Sequence, residues 1–225
     1  MLGERAPGLG ESVETRRPLL RGRLHQGAFF AAVPAGVVLV SIAPTPRSRL
    51  AAAIFALSLA GLYGTSTLYH RLPWSPQSLR WMKRIDHSMI FVLIAGTYTP
   101  LALLVLHGAW EVTVLSIVWG GAAIGTLLKF LRIDGLAAVT GALYIALGWL
   151  AIVATPEIVH GISGTAAGLM LTGGILYTGG AIVLARNRPD PAPSTYGYHE
   201  IWHTCVIAAS ACHYGLIMLV TLGAR

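Results

Sequence analysis

The stretch Leu50–Tyr69, LAAAIFALSLAGLYGTSTLY, is 20 residues long and contains no charged residue. A helix needs about 20 predominantly apolar residues to cross the hydrocarbon core of a bilayer. Only helices and closed barrels can cross, because each backbone polar group needs a partner within the protein. The stretch lacks the polar–apolar alternation of a barrel strand, so it predicts a transmembrane helix.

Six further apolar runs of similar length accompany it, and short segments containing Pro or Gly separate the runs. The seven runs are Gly27–Ala43, Leu50–Tyr69, Ser88–Leu106, Trp110–Phe130, Leu136–Ala154, Ile162–Leu184 and Ile201–Leu222. Charged residues make up only 11% of the 225-residue chain, against about 25% in soluble domains. The sequence therefore predicts an all-α integral membrane protein, a seven-transmembrane helix bundle over residues 26–225, after a disordered cytoplasmic tail over residues 1–25.

The basic residues predict the orientation of this bundle. With the N-terminus inside the cell, thirteen of the 16 Lys and Arg residues fall in cytoplasmic segments, and only Arg47, Arg49 and Arg225 fall outside. Cytoplasmic loops of membrane proteins carry such an excess of positive charge. We therefore expect a multi-pass protein of the cell membrane with a cytoplasmic N-terminus and an external C-terminus.

The net charge of +7 does not indicate a nucleic-acid partner, because neither zinc-finger spacing nor an RNA-binding aromatic motif is present. We expect membrane lipids as partners instead. Glycines recur at a spacing of four in Gly121–Gly125 and Gly164–Gly168. Such spacing lets helices approach closely, either within the bundle or, as the alternative, in a homo-oligomer.

The candidate chemistry lies at helix ends that share one membrane level. His199 and His203, in HEIWH, are one turn apart on one helix face, and His70 closes the second run. With Asp86, which opens the third run, they all fall at the cytoplasmic side in the predicted topology. Three imidazoles with a fourth position open are typical of a catalytic zinc site. Ser66, one turn before His70, either belongs to this site or bonds the carbonyl four residues back.

The other histidines and Glu200 are interpreted as structural or interfacial residues and not as metal ligands. We interpret His25, His107 and His160 as interfacial anchors and expect Glu200 to lie near a helix end that faces water, the headgroups or a neighbouring helix. His213 is interpreted as a buried, hydrogen-bonded core residue, with proton transfer as the alternative. His87 points about 100° away from Asp86, which favours an indirect or headgroup contact.

HEIWH also matches the signature of zinc proteases in which the Glu is the general base. Metzincins place a third ligand six residues after the second His, and this chain has no ligand there. The hypothesis of a zinc protease is therefore rejected as the leading one.

Three blocks resemble the signature of the haemolysin III family: the SxxxH pattern at Ser66–His70, DHSMIFVLIAGTYTP at Asp86–Pro100 and HEIWHxxV at His199–Val206. That family is related to the progestin and adiponectin receptors and more distantly to alkaline ceramidases. The resemblance spans about residues 25 to 222. It implies a seven-helix bundle in which His70, His199 and His203 hold zinc, with Asp86 near the metal-bound water and Ser66 as the family's serine.

Three functions follow as hypotheses. The first is a zinc-dependent hydrolase of a lipid amide or ester, such as a ceramide or phospholipid, with Asp86 as the proton-transfer residue and Ser66 orienting water or the oxyanion. The second is a membrane sensor or regulator with structural zinc. The third is a lytic, haemolytic membrane protein.

Overall fold

The computed structural model describes residues 18–131 and 135–224. Residues 1–17 of the predicted tail lie outside them, whereas residues 18–25 of that tail are described and include the start of α1 at Arg23. Eight α-helices and one short 3₁₀ helix follow one another in the described chain. They are α1 Arg23–Ile42, α2 Pro46–Arg71, α3 Pro76–Leu104, α4 Ala109–Leu131, α5 Ala137–Gly148, the 3₁₀ helix Leu150–Ile152, α6 Thr155–Gly161, α7 Gly164–Arg186 and α8 Tyr198–Gly223.

Six of these helices, α1 to α4, α7 and α8, are long and apolar enough to cross a membrane. A shorter apolar segment, Ala138–Ile152, comprises most of α5 and the 3₁₀ helix after it. Large apolar side chains such as Phe30 and Leu57 are about 70% exposed on the outside of the bundle. Such a surface would be unfavourable in water, where apolar area costs about 25 cal/mol per Å². The chain is thus an all-helical, multi-pass membrane protein.

Polar residues before the helices set where they begin. The Thr45 side chain accepts a hydrogen bond from the Ser48 amide, and the Ser48 side chain accepts one from the Thr45 amide. Ser75 and Ser163 accept from the third residue of α3 and α7 in the same way. These contacts satisfy backbone N–H groups that lack a partner within the first turn.

The fifth apolar run, Leu136–Ala154, is not the single helix that the sequence predicts. Helix α5 ends at Gly148, and the chain continues through the 3₁₀ helix into α6. The break is stabilised by Tyr98 of α3, whose hydroxyl donates to the Gly148 carbonyl and accepts from the Ala151 amide, both at 2.8 Å. A side chain from a neighbouring helix thus satisfies the backbone groups that the break frees.

Helices α3 and α8 lie at the centre of the packing. Helix α3 contacts α2, α4, α5 and α8, and α8 contacts α7, α1, α2 and α3. Two clusters of buried apolar side chains form the core: one contains Phe91 and joins α3, α4, α5, α6, α7 and α8, and the other contains Phe55 and joins α1, α2, α3 and α8.

The two glycine pairs behave differently. A Cβ at Gly121 would lie 2.7 Å from the Leu147 side chain, and one at Gly125 would collide with the ring of Phe91, so this pair serves packing within the bundle as predicted. At Gly164 and Gly168 a Cβ would meet no atom within 4 Å. For that pair the prediction of packing within the bundle is wrong.

Candidate metal centre

Three histidines converge where the end of α2 meets the beginning of α8. The Nε2 atoms of His70 and His199 are 3.3 Å apart, and one ring nitrogen from each of His70, His199 and His203 lies within 4.8 Å of the other two. Convergence of the three is as predicted. It follows from the one-turn spacing on α8 and from the arrival of α2 beside that turn.

Ser66 and Asp86 lie beside this group. Ser66 is buried on α2 one turn before His70, and its side chain lies within hydrogen-bonding reach of that of Asp86 on α3. The five residues that the sequence analysis selected thus come from three helices: the three histidines converge, and Asp86 is connected to them through Ser66, one turn before His70.

A fourth histidine, His25, lies against this group, which the sequence did not predict. His25, on the first turn of α1, is only 3% exposed. Its ring stacks on that of His203, with centroids 3.8 Å apart and planes 12° from parallel, and its Nδ1 lies 2.8 Å from the Ser66 Oγ. The prediction of an interfacial anchor is wrong for His25. The predicted first apolar run begins at Gly27, four residues after α1 begins at Arg23.

Glu200 also departs from expectation, because it is fully buried rather than facing water. Its Oε1 pairs with the Nε of Arg21 at 2.5 Å, and its Oε2 accepts from the Gly197 amide at 3.0 Å. The segment before α1 covers this end of α8, held by backbone hydrogen bonds from Leu19 and Leu20 to the carbonyls of Ser194 and Thr195. Both Glu200 oxygens are thus engaged in joining the start of α8 to the segment before α1 and to the Gly197 amide.

The donor set suits zinc. Neutral imidazole is a common zinc ligand, and three such ligands leave a position for water or substrate. The Nδ1 of His203 is buried, and no described protein atom hydrogen-bonds to it. A buried polar atom without a partner is unfavourable, and a bound water or ion is a common explanation for one. Softer thiolate ligands are not part of the set, since Cys205 and Cys212 are free cysteines further along α8.

Comparison with known proteins connects this geometry to a family. A family model described as "Haemolysin-III related" matches residues 13–214. The chain belongs to this family. "Hemolysin-3" of Bacillus cereus is 33% identical over 193 residues, which cover 84% of this chain and 85% of that protein. "Hemolysin-3 homolog" of Bacillus subtilis (strain 168) is 34% identical over 197 residues, which cover 86% and 89%.

A human protein is also similar. "Monocyte to macrophage differentiation factor" of Homo sapiens is 27% identical over 178 residues, which cover 74% of this chain and 68% of the human protein. The similarity thus extends from bacterial haemolysin-III-related proteins to an animal relative.

Of the remaining histidines of this haemolysin-III-related chain, three lie apart from the converging rings, whereas the Nδ1 of His87 is 3.8 Å from the Oδ2 of Asp86. His107 and His160 are exposed, and the His87 Nδ1 bonds the Lys83 carbonyl on its own helix at 2.7 Å. His213 lines a mainly apolar cavity of about 260 Å³ between α3, α5, α7 and α8, where its Nε2 lies 3.4 Å from the Met170 carbonyl. That contact agrees with the prediction of a hydrogen-bonded core histidine.

Proposed function

We propose that this haemolysin-III-related protein holds zinc between His70, His199 and His203 and hydrolyses an amide or ester bond of a membrane lipid. The observation that carries the proposal is the convergence of three imidazoles beside a serine and an aspartate at one end of an apolar bundle. Metal ligands, a proton acceptor and a hydroxyl donor in one place are the parts that metal-assisted hydrolysis requires.

The proposed arrangement has seven crossings, with the apolar segment Ala138–Ile152 as the fifth. The positive-inside asymmetry supports a cytoplasmic N-terminus, which would put the histidine cluster near the inner headgroup level. A lipid could then reach the site laterally, with its amide or ester close to the three histidines and its chains among the helices.

Each residue then has a defined task. Bound zinc would supply a Lewis acid that polarises a carbonyl and makes water nucleophilic near neutral pH. Asp86 accepts a proton from the attacking water as the new C–O bond forms, and then passes it to the leaving nitrogen or oxygen as the scissile bond breaks. The Ser66 hydroxyl, beside Asp86, donates a hydrogen bond to the developing oxyanion or orients the water.

Two relatives named as haemolysins favour a second candidate, in which the protein lyses membranes. Lysis of liposomes by the purified, zinc-free protein would support that candidate, since the hydrolase requires the metal. The third candidate, a sensor or regulator with structural zinc, predicts that zinc removal unfolds the bundle without any turnover to lose.

The decisive experiment pairs metal content with turnover. Purified wild-type protein should contain about one zinc per chain and release fatty acid from at least one member of a panel of ceramides and phospholipids. A zinc-free wild-type protein would overturn the proposal, and a zinc-loaded protein without activity on a broad panel would favour the regulator. His160→Ala serves as the control, because it removes an exposed histidine away from the cluster.

A further inference from the structure

His25 is built into the histidine cluster by two different contacts. Its imidazole covers one face of the His203 ring, with centroids 3.8 Å apart. The edge of the same imidazole meets Ser66, with Nδ1 and Oγ 2.8 Å apart. A second ring pair, with Tyr63 at 5.1 Å, flanks it on the α2 side. A single side chain of α1 thus touches one proposed metal ligand and the serine next to the aspartate.

The contact with Ser66 is compatible with the one that Ser66 makes to Asp86. A hydroxyl has one hydrogen to donate and two lone pairs that accept. Ser66 can therefore donate to an Asp86 carboxyl oxygen and accept from His25 at the same time. Removing His25 would take away one of these two partners and leave the orientation of the serine hydroxyl to Asp86 alone.

The contact with His203 restricts the orientation of a proposed ligand. A flat ring packed parallel to an imidazole prevents that imidazole from turning about its Cβ–Cγ bond. Residues that contact a metal ligand, but not the metal itself, orient that ligand. Losing such a contact usually costs about 10- to 100-fold in metal affinity or activity.

The backbone of α1 is placed so that His25 reaches this position. The Arg21–Glu200 ion pair joins the start of α1 to α8. Gly22 has a φ of +76°, and a Cβ there would lie 2.7 Å from the Cβ of His70. A residue with a side chain would be strained at this φ and would displace α1 from α2. The close approach of α1 to the cluster therefore depends on the local sequence RGRLH.

We propose that His25 is a positioning residue of the metal centre, which fixes the His203 ring by stacking and the Ser66 hydroxyl by hydrogen bonding. The proposal rests on the zinc site proposed above. It makes α1 part of a site otherwise made by α2, α3 and α8.

Three variants separate the two contacts. His25→Ala removes both, His25→Phe keeps a flat ring against His203, and His25→Asn keeps a hydrogen-bonding group without the ring. The measurements are zinc affinity, by competition with a chelator, and the visible absorption spectrum of the Co²⁺-substituted protein, which reports ligand geometry without any turnover. His160→Phe and His160→Ala are the matched controls at an exposed histidine.

We expect His25→Ala to weaken zinc binding by about 10- to 100-fold and to change the Co²⁺ spectrum, while both His160 variants match wild type. His25→Phe should recover part of the lost affinity but show the turnover defect of a misoriented Ser66. Unchanged affinity and spectrum in His25→Ala would overturn the proposal. If His25→Ala does not fold, wild-type affinity and turnover in both His25→Phe and His25→Asn would overturn it.

Two further outcomes would contradict it for other reasons. Complete zinc loss in His25→Ala, equal to that in His70→Ala, would make His25 a ligand rather than a positioning residue. A wild-type protein that binds no zinc would overturn the proposed function, and this inference with it. The His70→Ala variant tells the two failures apart, because its zinc loss shows that the site exists whatever His25 does.

Discussion

The beginning and the middle of α8 each carry histidine, yet only the histidines at the beginning converge with one from another helix. At its first turns, His199 and His203 converge with His70, and Ser66 and Asp86 lie nearby. Ten residues later, His213 faces an apolar cavity and contacts a backbone carbonyl of α7. His199 and His213 lie on the same apolar helix and are both half-buried, so burial alone does not distinguish these two histidines. What distinguishes them is the set of polar groups that other helices bring to the same place.

The largest effect should come from removing one converging histidine. His203→Ala leaves two protein ligands and should lose most of the zinc, whereas His213→Ala should keep about one zinc per chain. Zinc measured by mass spectrometry on purified protein decides this. Equal zinc in both variants, at the wild-type level, would mean that convergence of the rings does not create a metal site.

Asp86→Asn should separate metal binding from chemistry. Asparagine retains the shape and a carbonyl acceptor but cannot take a proton from water. Lipid hydrolysis should therefore fall by about 10²- to 10⁴-fold, the usual contribution of general acid–base catalysis, while zinc content stays near wild type. Loss of zinc as well would identify Asp86 as a direct ligand, with no open position for a substrate.

The ion pairs at the two ends of the bundle should differ in stability. Arg21→Met leaves the fully buried Glu200 without its cation, which we expect to cost near the lower end of about 3–5 kcal/mol. Arg47 and Glu111 form a more exposed pair at the opposite end, with Arg47 54% exposed, and Arg47→Met should cost only about 0–1 kcal/mol. Thermal unfolding of the two variants in detergent measures the loss of stability in each. Equal shifts of the unfolding midpoint would contradict the expectation that the more buried ion pair contributes more.

The smallest effect on the protein itself should come from single cysteines that report which end faces the cytoplasm. In a chain with Cys205 and Cys212 replaced by serine, Gln77→Cys lies beside the histidine end and His107→Cys at the opposite end; both positions are exposed. A membrane-impermeant thiol reagent applied to intact cells should label His107→Cys only. The reverse pattern would place the histidine cluster on the outer side and leave its geometry unchanged.

Much of the site could be predicted from the sequence because its parts lie on regular helices. A spacing of four residues puts His199 and His203 on one face whatever surrounds the helix. His25 gave no comparable signal, because it has no histidine one turn away and lies just before the first apolar run. Glu200 gave none either, since its burial depends on Arg21, 179 residues earlier in the chain.

The sequence by itself determined that this chain crosses a membrane as a helical bundle and that the paired histidines of α8 lie on one face. Both follow from local properties, namely the length of apolar runs and the helical repeat. Only the tertiary structure decided that the fifth run breaks at Gly148, where Tyr98 satisfies the freed backbone groups. It alone also decided that His25 lies against His203 and that Glu200 is buried. These outcomes depend on contacts between residues far apart in the chain, which no local pattern encodes.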